Sequence, residues 1–146
     1  MKNLTIDDLE KYRIHVFEEL EKLPSKLLNK KINKNWSINE HLYHLWLAET
    51  STEKYIRTKT KYPDLIKTMS LFVHLRTMGL RFFLILGIKV KAPKITTTFP
   101  NLIDIKDLSK NWRDSRGSFE KLIKDLKERN LGHKAIFRHH LMGRIN

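Results

Sequence analysis

Trp36-Ser37-Ile38-Asn39-Glu40-His41-Leu42-Tyr43-His44-Leu45 is the stretch whose reading decides the fold. Ser37 followed three residues later by Glu40 is a full capping box: the hydroxyl accepts from the Glu40 amide, and the carboxylate reaches back to the Ser37 amide. Trp36, just before the cap, is placed to act as a hydrophobic staple. The pattern predicts a helix from Ile38 to about Lys59. On it Leu42, Leu45, Glu49, Thr52 and Ile56 share one face, and His41, His44, Ala48 and Tyr55 share the adjacent one.

The flanking chain reads in the same period. Upstream, Thr5 and Asp8 form a capping box with Asp in place of Glu, opening a helix expected over Thr5 to Leu28. Leu9, Tyr12, Val16, Leu20, Leu23 and Leu27 step by three and four as its apolar stripe, and Pro24 is expected to kink it or end it early. Downstream, residues Lys59 to Pro63 read as a connector, and Asp64 to about Gly87 as a mostly apolar helix with Gly79 as its weak point. Lys91 to Pro100 is expected to be an extended crossover, because Pro93 and Pro100 bias their predecessors away from helix. A last long helix is predicted from about Ile105 to Arg129, with Leu108, Trp112, Phe119, Leu122, Ile123 and Leu126 buried. Asn130-Leu131-Gly132 supplies its stop. The tail, His133 to Asn146, is too short for a full helix. The fold class is therefore all-α, a helical bundle with one long connection.

Composition agrees and narrows the function. The chain has 146 residues, 40% hydrophobic and 31% charged, which suits one globular domain over 1–146. Five glycines and four prolines are too few for a many-turned β fold. With no cysteine, a disulfide scaffold, a thiolate zinc site, an iron–sulfur cluster and a thiol nucleophile are all excluded. The expected compartment is the cytoplasm. The net charge of +13, from 29 basic and 16 acidic residues, is spread along the chain with no arginine-rich tract. It reads as solvated helix surface, so nucleic acid is not the expected partner. The amino terminus lacks an apolar core and carries early acids, unlike a signal peptide. The most apolar stretch, Leu71 to Val90, contains His74, Arg76, Arg81 and Lys89. It is expected to be a core or interface helix and not a membrane span, and no membrane partner is expected.

The chemical lead is the set of histidines: His15, His41, His44, His74, His133, His139 and His140. Two imidazoles one helical turn apart at i, i+4 would share a metal, but no such pair is present. His41 and His44 are three apart, and His139 and His140 are adjacent and would point apart on a regular element. Glu40 is accounted for by capping. Glu49 reads either as a carboxylate supporting a metal ligand or as a plain helix-face charge.

The tryptophan-led stretch from Trp36 to Leu45, with Glu49 following, resembles the opening of the second helix of the DinB-like family. Lys91-Ala92-Pro93-Lys94 with Phe99-Pro100 resembles that family's proline-containing crossover. Trp112-Arg113-Asp114-Ser115-Arg116 with Phe119 and Leu122 resembles its third bundle helix. Phe137 to Asn146 resembles the loop leading into its final helix. The resemblance implies a four-helix bundle with a long crossover, often dimeric, so a homodimer is an expected assembly. It also implies a divalent metal, zinc or nickel, held by three histidines, and hydrolase or thiol S-transferase chemistry on an unknown small-molecule substrate.

By position, His44 matches the ligand of the second helix, and His41, one turn earlier, does not. The other two ligands would sit in a final helix beginning where Asn146 stands, so that helix is expected to be missing or truncated and the site incomplete. One imidazole does not make a zinc site, which takes three or four protein ligands. The lost wall would expose the apolar stripes that faced it. About six large side chains at about 1.5–3 kcal/mol each exceed much of a domain's stability. Leu71 to Val90, or a second chain, is then expected to cover that face. An alternative function follows: a catalytically inactive bundle that serves as an interaction or self-associating module.

Overall fold

A computed structural model describes residues 5–33, 35–68, 70–72, 75, 78–79, 82, 85–86, 96–134, 136–139 and 143–145. Four α-helices account for most of them: α1 (Ile6–Leu20), α2 (Ser25–Leu28), α3 (Ile38–Lys59) and α4 (Ile105–Glu128). A 3₁₀ turn spans Pro63–Leu65. Three-residue strands β1 (Phe137–His139) and β2 (Gly143–Ile145) pair antiparallel in the tail, Arg138 opposite Arg144. The molecule is thus helical, with one short ladder at positions expected to be loop. Among the described residues no helix is long and apolar enough to cross a membrane.

The chain divides into two compact units, Met1–Thr50 with Pro93–Glu120, and Ser51–Ala92 with Lys121–Asn146. In the first, Phe17, Leu28, Ile103, Ile105, Leu108 and Trp112 form the core, flanked by Leu20, Leu42, Tyr43, Trp46 and Phe99. Phe17 meets Trp112 edge to face at 5.8 Å, the arrangement that suits the aromatic quadrupole. In the second unit Ile66, Leu131 and Ile136 are buried, with Ile56 and Leu126 packed against them.

The helix ends follow local chemistry. Both capping boxes form: the Asp8 amide donates to Thr5 Oγ1 at 3.1 Å, and the Glu40 amide to Ser37 Oγ at 3.2 Å. Helix α4 has a cap that sequence reading passed over, Asp104, whose Oδ1 accepts from the amides of Lys106 and Asp107 at 2.8 and 3.0 Å. At its far end Asn130 takes a left-handed φ of 50°. The Leu131 amide donates to the Leu126 carbonyl and the Asn130 amide to that of Lys127, at 2.9 and 3.0 Å. This is a Schellman motif with Asn130 in the usual glycine place, so the stop lies two residues before Gly132.

The break expected at Pro24 is present: helix α1 ends at Leu20, and Pro24 caps the separate turn α2, where its fixed φ fits and its missing N–H is not needed. Other expectations need correction. The buried face of α1 is not the expected stripe: Leu9, Tyr12, Val16, Leu23 and Leu27 are exposed, while Arg13, Phe17 and Leu28 are buried. The packing of Phe17 on Trp112, and the Arg13 guanidinium on the Ser109 carbonyl at 3.2 Å, set that rotation. On α3, Asn39, Leu42, Tyr43 and Trp46 face the core, and Leu45 is exposed.

The helix expected from Asp64 starts later, after the 3₁₀ turn and a bridge between Thr68 and Lys134. Its described positions from Leu71 to Ile85 are helical. Among them Leu71, Phe72, Leu75, Met78, Phe82, Ile85 and Leu86 are 56–74% exposed. The remaining positions of that expectation, and Lys91 to Lys94 of the crossover, lie outside the described residues.

Candidate functional site around His44

His44 sits on the second turn of α3, where the capping box fixes the helix start. Its Nδ1 lies 2.8 Å from the Thr96 carbonyl oxygen. A carbonyl only accepts, so Nδ1 carries a proton, and in the neutral ring the lone pair is then on Nε2. This is the tautomer of an imidazole that binds a metal through Nε2, with its other nitrogen anchored on a carbonyl. Trp36 fixes the ring from the side, centroid to centroid at 5.1 Å, and also meets His41 at 5.3 Å and Phe99 at 5.1 Å. The staple therefore exists, with His41 in the place of its usual apolar partner. Thr96 itself is buried, so the crossover comes close enough to hold the ring.

The other candidates do different work. His41 is exposed, and its Nδ1 donates to the Ser37 carbonyl at 2.8 Å. Glu49 is not a free helix-face charge. It accepts from Arg116 Nε at 2.7 Å and from Nη2 at 2.5 Å, with side chains only 16% and 8% exposed. Arg13 is likewise buried on Glu10, whose pKa is lowered first by that guanidinium hydrogen bond. The backbone of β1 holds His139, and His140 lies outside the described residues. Among the described residues no group of three His, Cys, Asp or Glu is placed to hold a metal ion.

A cleft of about 340 Å³ opens beside the capping box, lined by Asn29, Lys31, Ser37, Glu40, Phe99 and Asn101 among others. Lys31 pairs with Glu40 across it at 2.6 Å. Burial works against the Glu40 carboxylate, but the Lys31 ammonium and the Ser37 amide outweigh it, and its pKa lies below the ordinary glutamate value. Both carboxylate oxygens of Glu40 are thus engaged, Oε1 by Lys31 and Oε2 by the Ser37 amide. Asn29 and Asn39 were not singled out from sequence. Each donates its Nδ2 to the Ile103 carbonyl, at 3.2 and 2.8 Å, and so ties the end of the crossover to α2 and α3. Asn39, fully buried at the second helical position, carries no periodic signal that would have revealed this.

A single well-anchored imidazole does not satisfy a zinc or nickel ion, and the described residues do not fit the three-histidine site. Comparison with known proteins found no matching family model, no matching curated protein and no matching solved structure.

Proposed function

We propose that the chain is a DinB-like four-helix-bundle relative, working in the cytoplasm as a non-catalytic interaction module. One observation carries this reading: the apolar helical face from Leu71 to Leu86, whose described side chains lie mostly in solvent. A monomer seldom exposes so many neighbouring large apolar groups without a partner for them. Hydrophobic-dye fluorescence on the native protein tests the reading, beside the Leu75→Gln/Phe82→Gln variant. Strong dye binding that falls in the variant is expected. A wild type that binds no dye and stays monomeric at every concentration by light scattering refutes it.

A second reading is favoured by the His44 tautomer: a divalent-metal enzyme of the hydrolase or thiol S-transferase kind with His44 as one ligand. What supports it is the Thr96 anchor, which orients Nε2 as a donor. Against it stands the missing donor set among the described residues. Zinc and nickel titrations of the wild type and His44→Ala by calorimetry decide it. Equal or absent binding in the two proteins ends this reading.

A further inference from the structure

We propose that the second compact unit binds a small aromatic carboxylate, in the cleft where α3 runs into the 3₁₀ turn, independently of both readings above.

A cleft of about 250 Å³ opens there between Tyr55, Lys59, Tyr62, Leu65, Ile66 and Ile136. All six belong to Ser51–Ala92 with Lys121–Asn146, so the site lies within one unit. Tyr55 and Lys59 stand one turn apart at the end of α3. Ile66 and Ile136 are buried in the small core, while Tyr62 and Leu65 flank the open side, 66% and 79% exposed. A cavity of about 150 Å³ already holds benzene. This cleft therefore has room for one ring and its carboxyl group, and not for a dinucleotide or a long acyl chain.

One cation is set at this cleft without an anion. Lys59 Nζ lies over the Tyr55 ring, 5.8 Å from its centroid. All 16 acidic side chains are among the described residues, and none pairs with Lys59. Its neighbour Arg57, by contrast, is held by Glu53. Apolar walls with one unneutralised ammonium select a guest by both halves. A cation would be repelled by Lys59, which already occupies the face of Tyr55. A neutral apolar molecule would leave the ammonium unused, and a small inorganic anion would leave the walls unfilled. An aromatic carboxylate packs its ring on the tyrosine and isoleucine side chains and gives its charge to Lys59. The negative end of α3 works against an anion, but its last acceptors are taken. The Ile56 carbonyl accepts from the amide and hydroxyl of Thr60, that of Lys59 from the Tyr62 amide, and that of Thr60 from Arg129 Nη2.

Benzoate is the probe, followed by the backbone amide shifts of the isotope-labelled full chain. Saturable shifts centred on the lining residues are expected, with a dissociation constant on the order of 1 mM, in keeping with a ligand of so few atoms. Acetate, which keeps the charge and lacks the ring, should bind at least about 10-fold more weakly. Benzyl alcohol, which keeps the ring and lacks the charge, should bind about 5-fold more weakly, and Lys59→Gln should weaken benzoate by the same factor. Lys59→Gln should leave benzyl alcohol unchanged, and Lys59→Arg should restore benzoate. Lys59 is exposed, so these variants should keep the wild-type circular dichroism. Lys61→Gln, outside the cleft, should bind benzoate like the wild type. A loss for Lys61→Gln equal to that for Lys59→Gln, or shifts scattered over the surface, would mean diffuse attraction to a chain of net charge +13 and overturns the proposal. Equal binding of benzoate and benzyl alcohol overturns the carboxylate assignment. No saturable shift up to about 10 mM benzoate overturns the site itself.

Discussion

Replacing Arg116 with methionine removes one half of the pair with Glu49 and leaves the other half inside the first unit. The carboxylate accepts from Nε and Nη2 in a two-pronged arrangement, and the side chains are 8% and 16% exposed. Breaking a buried pair by deleting one partner costs about 3–5 kcal/mol, because the remaining charge loses its partner without regaining full hydration. Glu49 keeps some access to water, so the lower end, about 3 kcal/mol, is expected. That is a large share of the roughly 5–15 kcal/mol that holds a domain folded. With a urea slope of about 2 kcal/mol/M, the unfolding midpoint should fall by about 1.5 M with the slope unchanged. The double variant Glu49→Leu/Arg116→Met removes both charges and should recover most of the loss, as apolar replacements of buried pairs often do. A midpoint for Arg116→Met within about 0.3 M of wild type would mean the pair behaves as a surface contact. A double variant no better than the single one would refute the argument that a stranded carboxylate is the cost.

Three further predictions follow from local structure. Ser37→Ala removes the hydroxyl that accepts from the Glu40 amide and should cost about 1 kcal/mol in urea unfolding, while Ser37→Thr should cost less. Asn130→Gly should be neutral or slightly stabilising in thermal melts, whereas Asn130→Val should destabilise, because only the former accepts φ of 50° without strain. The acid limb of stability should be steep. Glu10 and Glu40 both have folded pKa values below the ordinary 4.5. Groups depressed on folding stabilise the protein above their unfolded pKa and lose that contribution as pH falls through the folded value. The urea midpoint should therefore hold from neutral pH to about 5 and drop below about 4.5, and Glu10→Gln/Glu40→Gln should flatten that drop. An unchanged acid limb in the double variant would show that other carboxylates control it.

Helix positions and ends were written locally. Ser37 with Glu40, and Thr5 with Asp8, satisfy backbone donors within their own turn, so any chain carrying them starts a helix there. The range Ile38–Lys59 matched its expectation, and α4 was expected one residue longer than it is, because a long apolar period with a cap at one end needs no tertiary help. The His44 position was legible for the same reason. What the sequence left open was rotation. A helix can present any of several faces when more than one is apolar, and α1 has both Leu9, Tyr12 and Val16 and the face of Arg13 and Phe17 to offer. Only the meeting of Phe17 with Trp112, and of Arg13 with the Ser109 carbonyl, chose between them.

The same division runs through the candidate site. The pitch of α3 placed Glu49 on a known face, but which cation it meets was decided by Arg116, 67 residues away. Asn39 gave no signal because its role, holding the Ile103 carbonyl, exists only once the crossover returns. Sequence alone determined that the chain is helical and where its long helices lie. Tertiary structure decided which faces are buried and which imidazole is anchored, and it left the described apolar side chains between Leu71 and Leu86 exposed. The physical reason is range: capping and periodicity act over three or four residues, whereas burial depends on what arrives from elsewhere in the chain.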